Sequence, residues 1–129
     1  MGLKMKATIA VGSNTGNRIQ AVDDAIHFLG SICEITRCSD IYESPDITGS
    51  GRRYMNAVLT AMYTEEIEKL KGLIKDYEFS QGRTSDVRER GEVPIDIDIV
   101  VWGESIERPA DFNATYFKTG FSQIDNGDR

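Results

Sequence analysis

One run of the chain defines a strand and its two faces, Val93-Pro94-Ile95-Asp96-Ile97-Asp98-Ile99-Val100-Val101-Trp102. A strand repeats every two residues, so Asp96 and Asp98 leave one face, roughly 7 Å apart at their Cα atoms, while the isoleucines leave the other. Folding alone does not require two carboxylates on one strand face. We therefore predict a core face of isoleucines and a functional face of aspartates. The alternative is an antiparallel strand with a solvated polar face.

The spacing of the two aspartates suits hard cations. Carboxylates that leave the same strand face can lean together around one or two ions. Mg²⁺ takes oxygen ligands and usually keeps waters and substrate phosphates as its remaining ligands. Asp96 and Asp98 are therefore the predicted metal ligands.

Composition indicates one folded globular domain. The 129 residues are 40% apolar and 28% charged, which is ordinary for a single domain with a real core. The 15 basic and 21 acidic residues give a net charge of −6, which argues against broad nucleic-acid binding or adhesion to an anionic membrane. No apolar run has the length of a transmembrane helix and no secretory signal is recognised, so we expect a cytoplasmic location. We expect small-molecule partners and a monomer.

Hydrophobic periodicity predicts the element order β-α-β-β-α-β. The predicted strands cover about residues 5–12, 32–42, 54–63 and 93–102, and the predicted helices cover about residues 17–30 and 65–82. This order is typical of an α+β, ferredoxin-like sandwich, in which an antiparallel sheet carries helices on one face. We assign residues 1–121 to this single domain and residues 122–129 to a polar C-terminal tail.

Two loops are predicted to flank the aspartate strand. The segment from Glu43 to Gly51 contains a proline and glycines that prevent regular structure, and loops of this kind on a rigid sheet often bind ligands. The segment 83–92 contains Arg83, Arg88 and Arg90, whose guanidinium groups suit phosphate oxygens. The alternative for the second segment is a solvated run of charges.

Two common kinds of site are excluded. The sequence has no G-x-x-x-x-G-K-[ST] loop, so it is not a P-loop kinase. Cys33 and Cys38 lie on one predicted strand with their side chains on opposite faces, which suits neither a mutual disulfide nor a zinc site. We expect them to be buried or half-buried free thiols.

Five short motifs resemble one enzyme family. They are Val11-Gly12-Ser13-Asn14, Tyr42-Glu43-Ser44-Pro45, Tyr54-Met55-Asn56-Ala57-Val58, Tyr77-Glu78 with Gly82-Arg83, and Ile95-Asp96-Ile97-Asp98-Ile99. In this order and at this spacing they resemble the 6-hydroxymethyl-7,8-dihydropterin pyrophosphokinases, which transfer pyrophosphate from ATP to a pterin alcohol in folate biosynthesis. The ferredoxin-like fold of that family agrees with the element order.

The resemblance implies a role for each candidate site residue. Asp96 and Asp98 would be ligands of two Mg²⁺ ions that bridge the ATP phosphates, and these aspartates together with Arg83 would be catalytic. The residues around the pterin would be Pro45, Tyr54, Asn56 and Phe121, with Phe121 stacked on the ring. The residues on the nucleotide side would be Glu78, Arg83, Arg88 and Arg90.

The chain departs from the family pattern at phosphate-binding positions. Ser85 and Thr119 stand where the family carries arginines, and Val93-Pro94 stands where it carries an arginine-threonine pair. Arg88 and Arg90 would have to replace the missing contacts, since each charge-assisted hydrogen bond contributes about 1.5–3 kcal/mol. Two alternatives therefore stay open. One is a catalytically weak or inactive relative that binds a pterin or a nucleotide, and the other is a ferredoxin-like interaction module.

Overall fold

The structure is a computed structural model that describes residues 4–45 and 51–125. Its strands are β1 (Met5–Ser13), β2 (Glu34–Cys38), β3 (Tyr42–Ser44), β4 (Tyr54–Tyr63), β5 (Asp96–Trp102) and β6 (Ser105–Ile106). Its helices are α1 (Arg18–Ile32), α2 (Ile67–Ser80), α3 (Ser85–Glu89), α4 (Pro109–Phe112) and α5 (Thr115–Asp125). Among these helices we find none with the length and apolar character needed to cross a membrane.

The strands form one antiparallel sheet of six strands. The order is β2-β4-β1-β5-β6, and the short strand β3 also pairs with β4. The long strands β4 and β1 therefore lie in the middle, with β5, which carries the aspartates, beside β1. This arrangement confirms the predicted α+β, ferredoxin-like fold class.

The larger core lies between the sheet and helices α1 and α2. Helix α1 buries Val22, Ala25 and Leu29, which recur at helical spacing. Helix α2 buries Leu70 and Ile74 in the same way. The isoleucines of the aspartate strand enter this core, as strand alternation predicted, and they are Ile95, Ile97 and Ile99.

A second, smaller core covers the opposite face of the sheet. Helix α5 places Phe117 and Ile124 against Val58 and Val100. The prediction that helices cover one face only was therefore wrong. Phe117, Phe121 and Ile124 are spaced by four and three residues, and this spacing gives α5 an apolar stripe that must be buried.

The C-terminal boundary differs from the prediction for the same reason. We expected a polar tail from residue 122, but α5 continues to Asp125 and Ile124 is only 3% exposed. The helix persists because its last turn carries this apolar anchor. Residues 126–129 lie outside the described residues.

The predicted strand over residues 32–42 is interrupted. Helix α1 continues past Gly30 to Ile32, and β2 then ends at Cys38. The next residue, Ser39, accepts the backbone N–H of Val58 through its hydroxyl at 2.9 Å, which takes the place of a regular ladder bond. Cys33 is half-buried and Cys38 is exposed, and both are free, so the expected burial holds for Cys33 only.

Candidate functional site

On the face of the sheet that carries the aspartates, β1 has small residues, and the surface is therefore recessed there. Gly12 pairs with Asn56 of β4 on one side and with Asp96 of β5 on the other. Two residues earlier, Ala10 pairs with Asp98. Directly paired residues of antiparallel strands share a face. Asn56 and the two aspartates therefore stand on either side of a trough whose floor is Gly12 and Ala10.

A cavity of about 200 Å³ opens on this trough, and we call it the first cavity. Three of the residues predicted to surround a pterin, Pro45, Tyr54 and Asn56, line it. Both aspartates line it as well. The fold thus brings together residues that follow β3 or lie in β4 and β5 and are up to 53 positions apart in sequence, from Pro45 to Asp98.

Asn56 is buried in the wall of the first cavity with its amide held in one orientation. Its Nδ2 donates to the hydroxyl of Ser44 at 2.7 Å and to the carbonyl of Tyr42 at 3.4 Å. A Cβ atom at Gly12 would lie 3.2 Å from Asn56 Oδ1. Glycine at position 12 therefore keeps space beside an amide oxygen that can accept a hydrogen bond from a ligand.

A second cavity, of about 530 Å³, lies between α2 and β5. Glu78, Arg83 and Arg88 line it, as expected for the nucleotide side. Arg90 does not, because its guanidinium lies 3.2 Å from the carboxylate of Glu92 on an exposed part of the chain. The structure therefore brings Arg88 to the site and leaves Arg90 outside it.

Three further basic residues line the second cavity and were not predicted. They are Lys71, Lys75 and Arg108. The four-residue spacing of Lys71 and Lys75 places them on the same side of α2 as Glu78, a signal that the sequence does contain. Arg108 follows the hairpin of β5 and β6, and no local pattern indicates its position.

Asp96 and Asp98 line both cavities, and we call this aspartate pair the junction. The side chain of Asp98 is 17% exposed. Its burial, together with the neighbouring charge and hydrogen bond of Asp96, raises the pKa of Asp98 above its ordinary value. Two carboxylates this close favour a bound positive charge between them.

Arg83 and Glu78 support the junction from the α2 side. Arg83 Nη1 lies 2.6 Å from Asp96 Oδ1 and 3.0 Å from Glu78 Oε2. The same Glu78 oxygen accepts the backbone N–H of Ile97 at 2.7 Å. Burial raises the pKa of Glu78, and the Ile97 hydrogen bond and the Arg83 charge oppose that shift. Arg83 is therefore a positive group fixed against Asp96.

A second ionic chain supports the junction from the C-terminal side. Arg108 lies 3.7 Å from Asp98 and 2.5 Å from Asp111. Asp111 accepts a hydrogen bond from the hydroxyl of Tyr116, and both residues line the first cavity. The five sequence motifs include neither Asp111 nor Tyr116.

Both predicted flanking loops are anchored close to the site. Asn14 receives the backbone N–H of Val93 at 2.6 Å and donates to the carbonyl of Gly91 at 3.0 Å, which ties the 83–92 segment to the end of β1. Arg53 lies 3.0 Å from Glu43, which ties together the two sides of the other loop. Residues 46–50 of that predicted binding loop lie outside the described residues.

Phe121 is not brought into the first cavity. Its ring stacks on Phe117 of the same helix, with centroids 5.3 Å apart. It lines a separate cavity on the α5 side of the sheet. Of the four residues predicted to surround the pterin, the structure therefore groups three.

The junction provides oxygen donors for a hard cation. In the described part of the chain, no cluster of three or more His, Cys, Asp or Glu side chains could hold a metal. Two carboxylates are enough for Mg²⁺, because this ion usually binds one or two carboxylates and completes its shell with waters and phosphate oxygens. Asp96 and Asp98 therefore fit this ion without a third protein ligand.

Comparison with known proteins gives one family and several relatives. Residues 8–125 match the family model described as 7,8-dihydro-6-hydroxymethylpterin-pyrophosphokinase. The chain is similar to "Folate synthesis bifunctional protein, mitochondrial" of Arabidopsis thaliana, with 31% identity over 102 residues, 77% of this chain and 18% of the relative. It is also similar to "Folate synthesis bifunctional protein" of the same organism, with 28% identity over 101 residues, 77% of this chain and 21% of the relative. The chain thus spans about a fifth of the length of these curated relatives.

Proposed function

Because this chain belongs to the 7,8-dihydro-6-hydroxymethylpterin-pyrophosphokinase family, we propose that it transfers the pyrophosphoryl group of ATP to 6-hydroxymethyl-7,8-dihydropterin in folate biosynthesis. One observation supports this most directly: two cavities of different character meet at Asp96 and Asp98. Transfer between two substrates requires both to be bound at once with their reacting groups at a shared boundary. The junction is such a boundary.

The pterin would occupy the first cavity. Tyr54 supplies aromatic surface for a flat heterocycle, and Asn56 supplies an oriented amide for its hydrogen-bonding edge. The recessed surface at Gly12 and Ala10 leaves room for the pterin ring to lie against the sheet. The hydroxymethyl group would then point toward the aspartates.

The nucleotide would occupy the second cavity, with its phosphates near the junction. Lys71, Lys75, Arg88 and Arg108 line this cavity, and their charges would offset those of the triphosphate. In a chain of net charge −6, this local basic cluster is what an anionic ligand needs. Arg88 and Arg108 would make up for part of the arginine contacts that the family carries elsewhere.

Asp96 and Asp98 would hold two Mg²⁺ ions together with ATP. When bound, Mg²⁺ neutralises charge on the phosphates and on the transferring group. The protein's own contribution is positional, because Arg83 and Arg108 fix the aspartates from both sides. The pterin hydroxyl oxygen would give up its proton to water and form a bond to the β-phosphorus, while the bond between the β-phosphorus and its bridging oxygen to the α-phosphate breaks and releases AMP.

The product of the reaction tests this function. The chain is incubated with ATP, Mg²⁺ and 6-hydroxymethyl-7,8-dihydropterin, and the nucleotide product is identified by chromatography. We expect pterin-dependent AMP, whereas an ordinary kinase would release ADP. Arg88→Ala should lower kcat by about tenfold or more through lost charge stabilisation. Arg90→Ala is the matched control, and its kcat should equal that of the unmodified chain.

Two results would contradict the proposal in different ways. Pterin and nucleotide binding without AMP would identify a relative that kept its ligands and lost catalysis. Binding of neither ligand would favour a ferredoxin-like interaction module. If neither Arg88→Ala nor Arg90→Ala changed the rate of AMP formation, the proposed reaction would stand, but Arg88 would have no part in it.

A further inference from the structure

The first cavity contains one aromatic ring to which the family pattern gives no role. Tyr116 of helix α5 lines this cavity, together with Asp111 from α4. The aromatic residue that the resemblance assigns to ring stacking, Phe121, instead packs on Phe117 and lines another cavity. The position of Tyr116 therefore needs a physical explanation of its own.

The hydroxyl of Tyr42 is hydrogen-bonded to one turn of helix α5, at the level of Tyr116. It donates to the carbonyl of Tyr116 at 2.5 Å and accepts the backbone N–H of Gly120 at 3.1 Å. In an uninterrupted α-helix the N–H of residue 120 would donate to the carbonyl of residue 116. The Tyr42 hydroxyl therefore binds the same carbonyl and the same N–H that a regular turn would join, and these two bonds fix this turn of α5 to β3.

Gly120 makes this close approach of Tyr42 possible. A Cβ atom at this position would lie 2.6 Å from the Tyr42 hydroxyl oxygen and 2.7 Å from Val58 Cγ2. Real Cβ atoms do not approach other atoms so closely, so only glycine lets α5 pack this near to β3 and β4. Burial raises the pKa of Tyr42 to about 12, so the Tyr42 hydroxyl is neutral.

Tyr116 is held both at its backbone and at the hydroxyl of its ring. Its backbone carbonyl is bound by Tyr42, and its hydroxyl donates to Asp111. Asp111 is in turn paired with Arg108. An aromatic side chain that is already fixed in one orientation loses little conformational entropy when a ligand packs against it.

We propose that Tyr116 is a substrate-contacting residue, which provides an aromatic wall for the pterin ring in the first cavity, and that Tyr42 is its positioning residue. This inference rests on the proposed function, since it names the ring contact of the same substrate. Phe121 contributes to the core under α5 and does not contact the pterin.

The test measures pterin affinity in matched aromatic variants. 6-Hydroxymethylpterin is titrated by calorimetry in the presence of Mg²⁺ and a non-hydrolysable ATP analogue, at a temperature where each variant is folded. Tyr116→Leu should raise the pterin dissociation constant about tenfold, and Tyr116→Phe, which keeps the ring, should raise it less than threefold. Phe121→Leu is the control and should change it less than twofold, although it lowers thermal stability.

Tyr42→Phe tests the positioning role. Without the hydroxyl, the turn of α5 from residue 116 to residue 120 loses both of its hydrogen bonds to β3, and the Tyr116 ring should shift. We expect the pterin dissociation constant to rise severalfold while the affinity for the ATP analogue is unchanged. A residue that only stabilised the fold would change neither value in folded protein, and that result would overturn the positioning role of Tyr42.

A measurement on the unmodified chain avoids dependence on variant folding. In the pterin complex, nuclear Overhauser effects should connect the H7 proton of the pterin with ring protons of Tyr116, assigned through bonds in the isotope-labelled, unmodified chain. Contacts to Phe121 in their place, or equal affinity in Tyr116→Leu and the unmodified chain, would overturn the inference alone. No pterin binding by the unmodified chain would overturn the proposed function and this inference with it.

Discussion

Glu78 shows how one side chain joins helix α2 to the junction. It is 8% exposed, and one of its oxygens serves both the Ile97 backbone N–H and the Arg83 guanidinium. Both of these partners are next to Asp96 or contact it. Removal of the carboxylate would leave a strand N–H and a partly buried guanidinium without the acceptor they share.

Glu78→Ala should lower the free energy of unfolding by about 3 kcal/mol, the magnitude expected when one partner of a buried pair is removed. Urea denaturation measures this value. Glu68→Ala is a matched control on the same helix, because the Glu68 side chain is 78% exposed and lies 3.8 Å from Lys71. Its effect should stay within about 0.5 kcal/mol. Equal effects of the two substitutions would show that Glu78 is not a structural anchor.

Single residues also mark the limit of what the sequence predicts. The alternation of Ile95, Ile97 and Ile99 with the aspartates placed both faces of β5 correctly, because strand period is local information. The segment 83–92 offered Arg88 and Arg90 as equivalent candidates. Only the contacts of the folded chain separate them, since Arg90 pairs with Glu92 and Arg88 lines the second cavity.

At the scale of elements, helix α5 is the largest difference between prediction and structure. Its apolar residues recur at helical spacing, and this pattern was available in the sequence. The family pattern drew attention to Phe121 as a ligand contact instead, so no helix was predicted over residues 115–125, and residues 122–129 were assigned to a tail. The hydrogen bonds of Tyr42 to α5 join segments 74 to 78 residues apart, and no local pattern reports such a contact.

Gly120→Ala tests the packing of α5. The added methyl group would overlap Tyr42 and Val58, so we expect a loss of about 1–3 kcal/mol in the free energy of unfolding. Gly72→Ala in α2 is the control, because nothing lies within 4 Å of a Cβ atom there. Since alanine favours the helix, Gly72→Ala should gain about 0.5–1 kcal/mol. A gain in both variants would contradict the described approach of α5 to the sheet.

At the scale of the whole molecule, each face of the sheet carries a core, and the aspartate pair lies where the two faces meet at β5. One face carries the larger core, and the other carries α5 and the trough over β1. The two cavities meet where β5 joins these regions, so that residues from both halves of the chain reach Asp96 and Asp98. The cytoplasmic location and the monomeric state stay predictions.

The central claim is that the two cavities hold different ligands at the same time and that the aspartate pair serves the nucleotide through Mg²⁺. Calorimetric titration with a non-hydrolysable ATP analogue tests it directly, with and without Mg²⁺ and with and without saturating 6-hydroxymethylpterin. We predict nucleotide binding that requires Mg²⁺, persists when the pterin is bound, and is lost in Asp98→Asn, which keeps the side-chain shape and removes the charge. Tight nucleotide binding without metal, retention of binding in Asp98→Asn, or competition between the two ligands would contradict the claim.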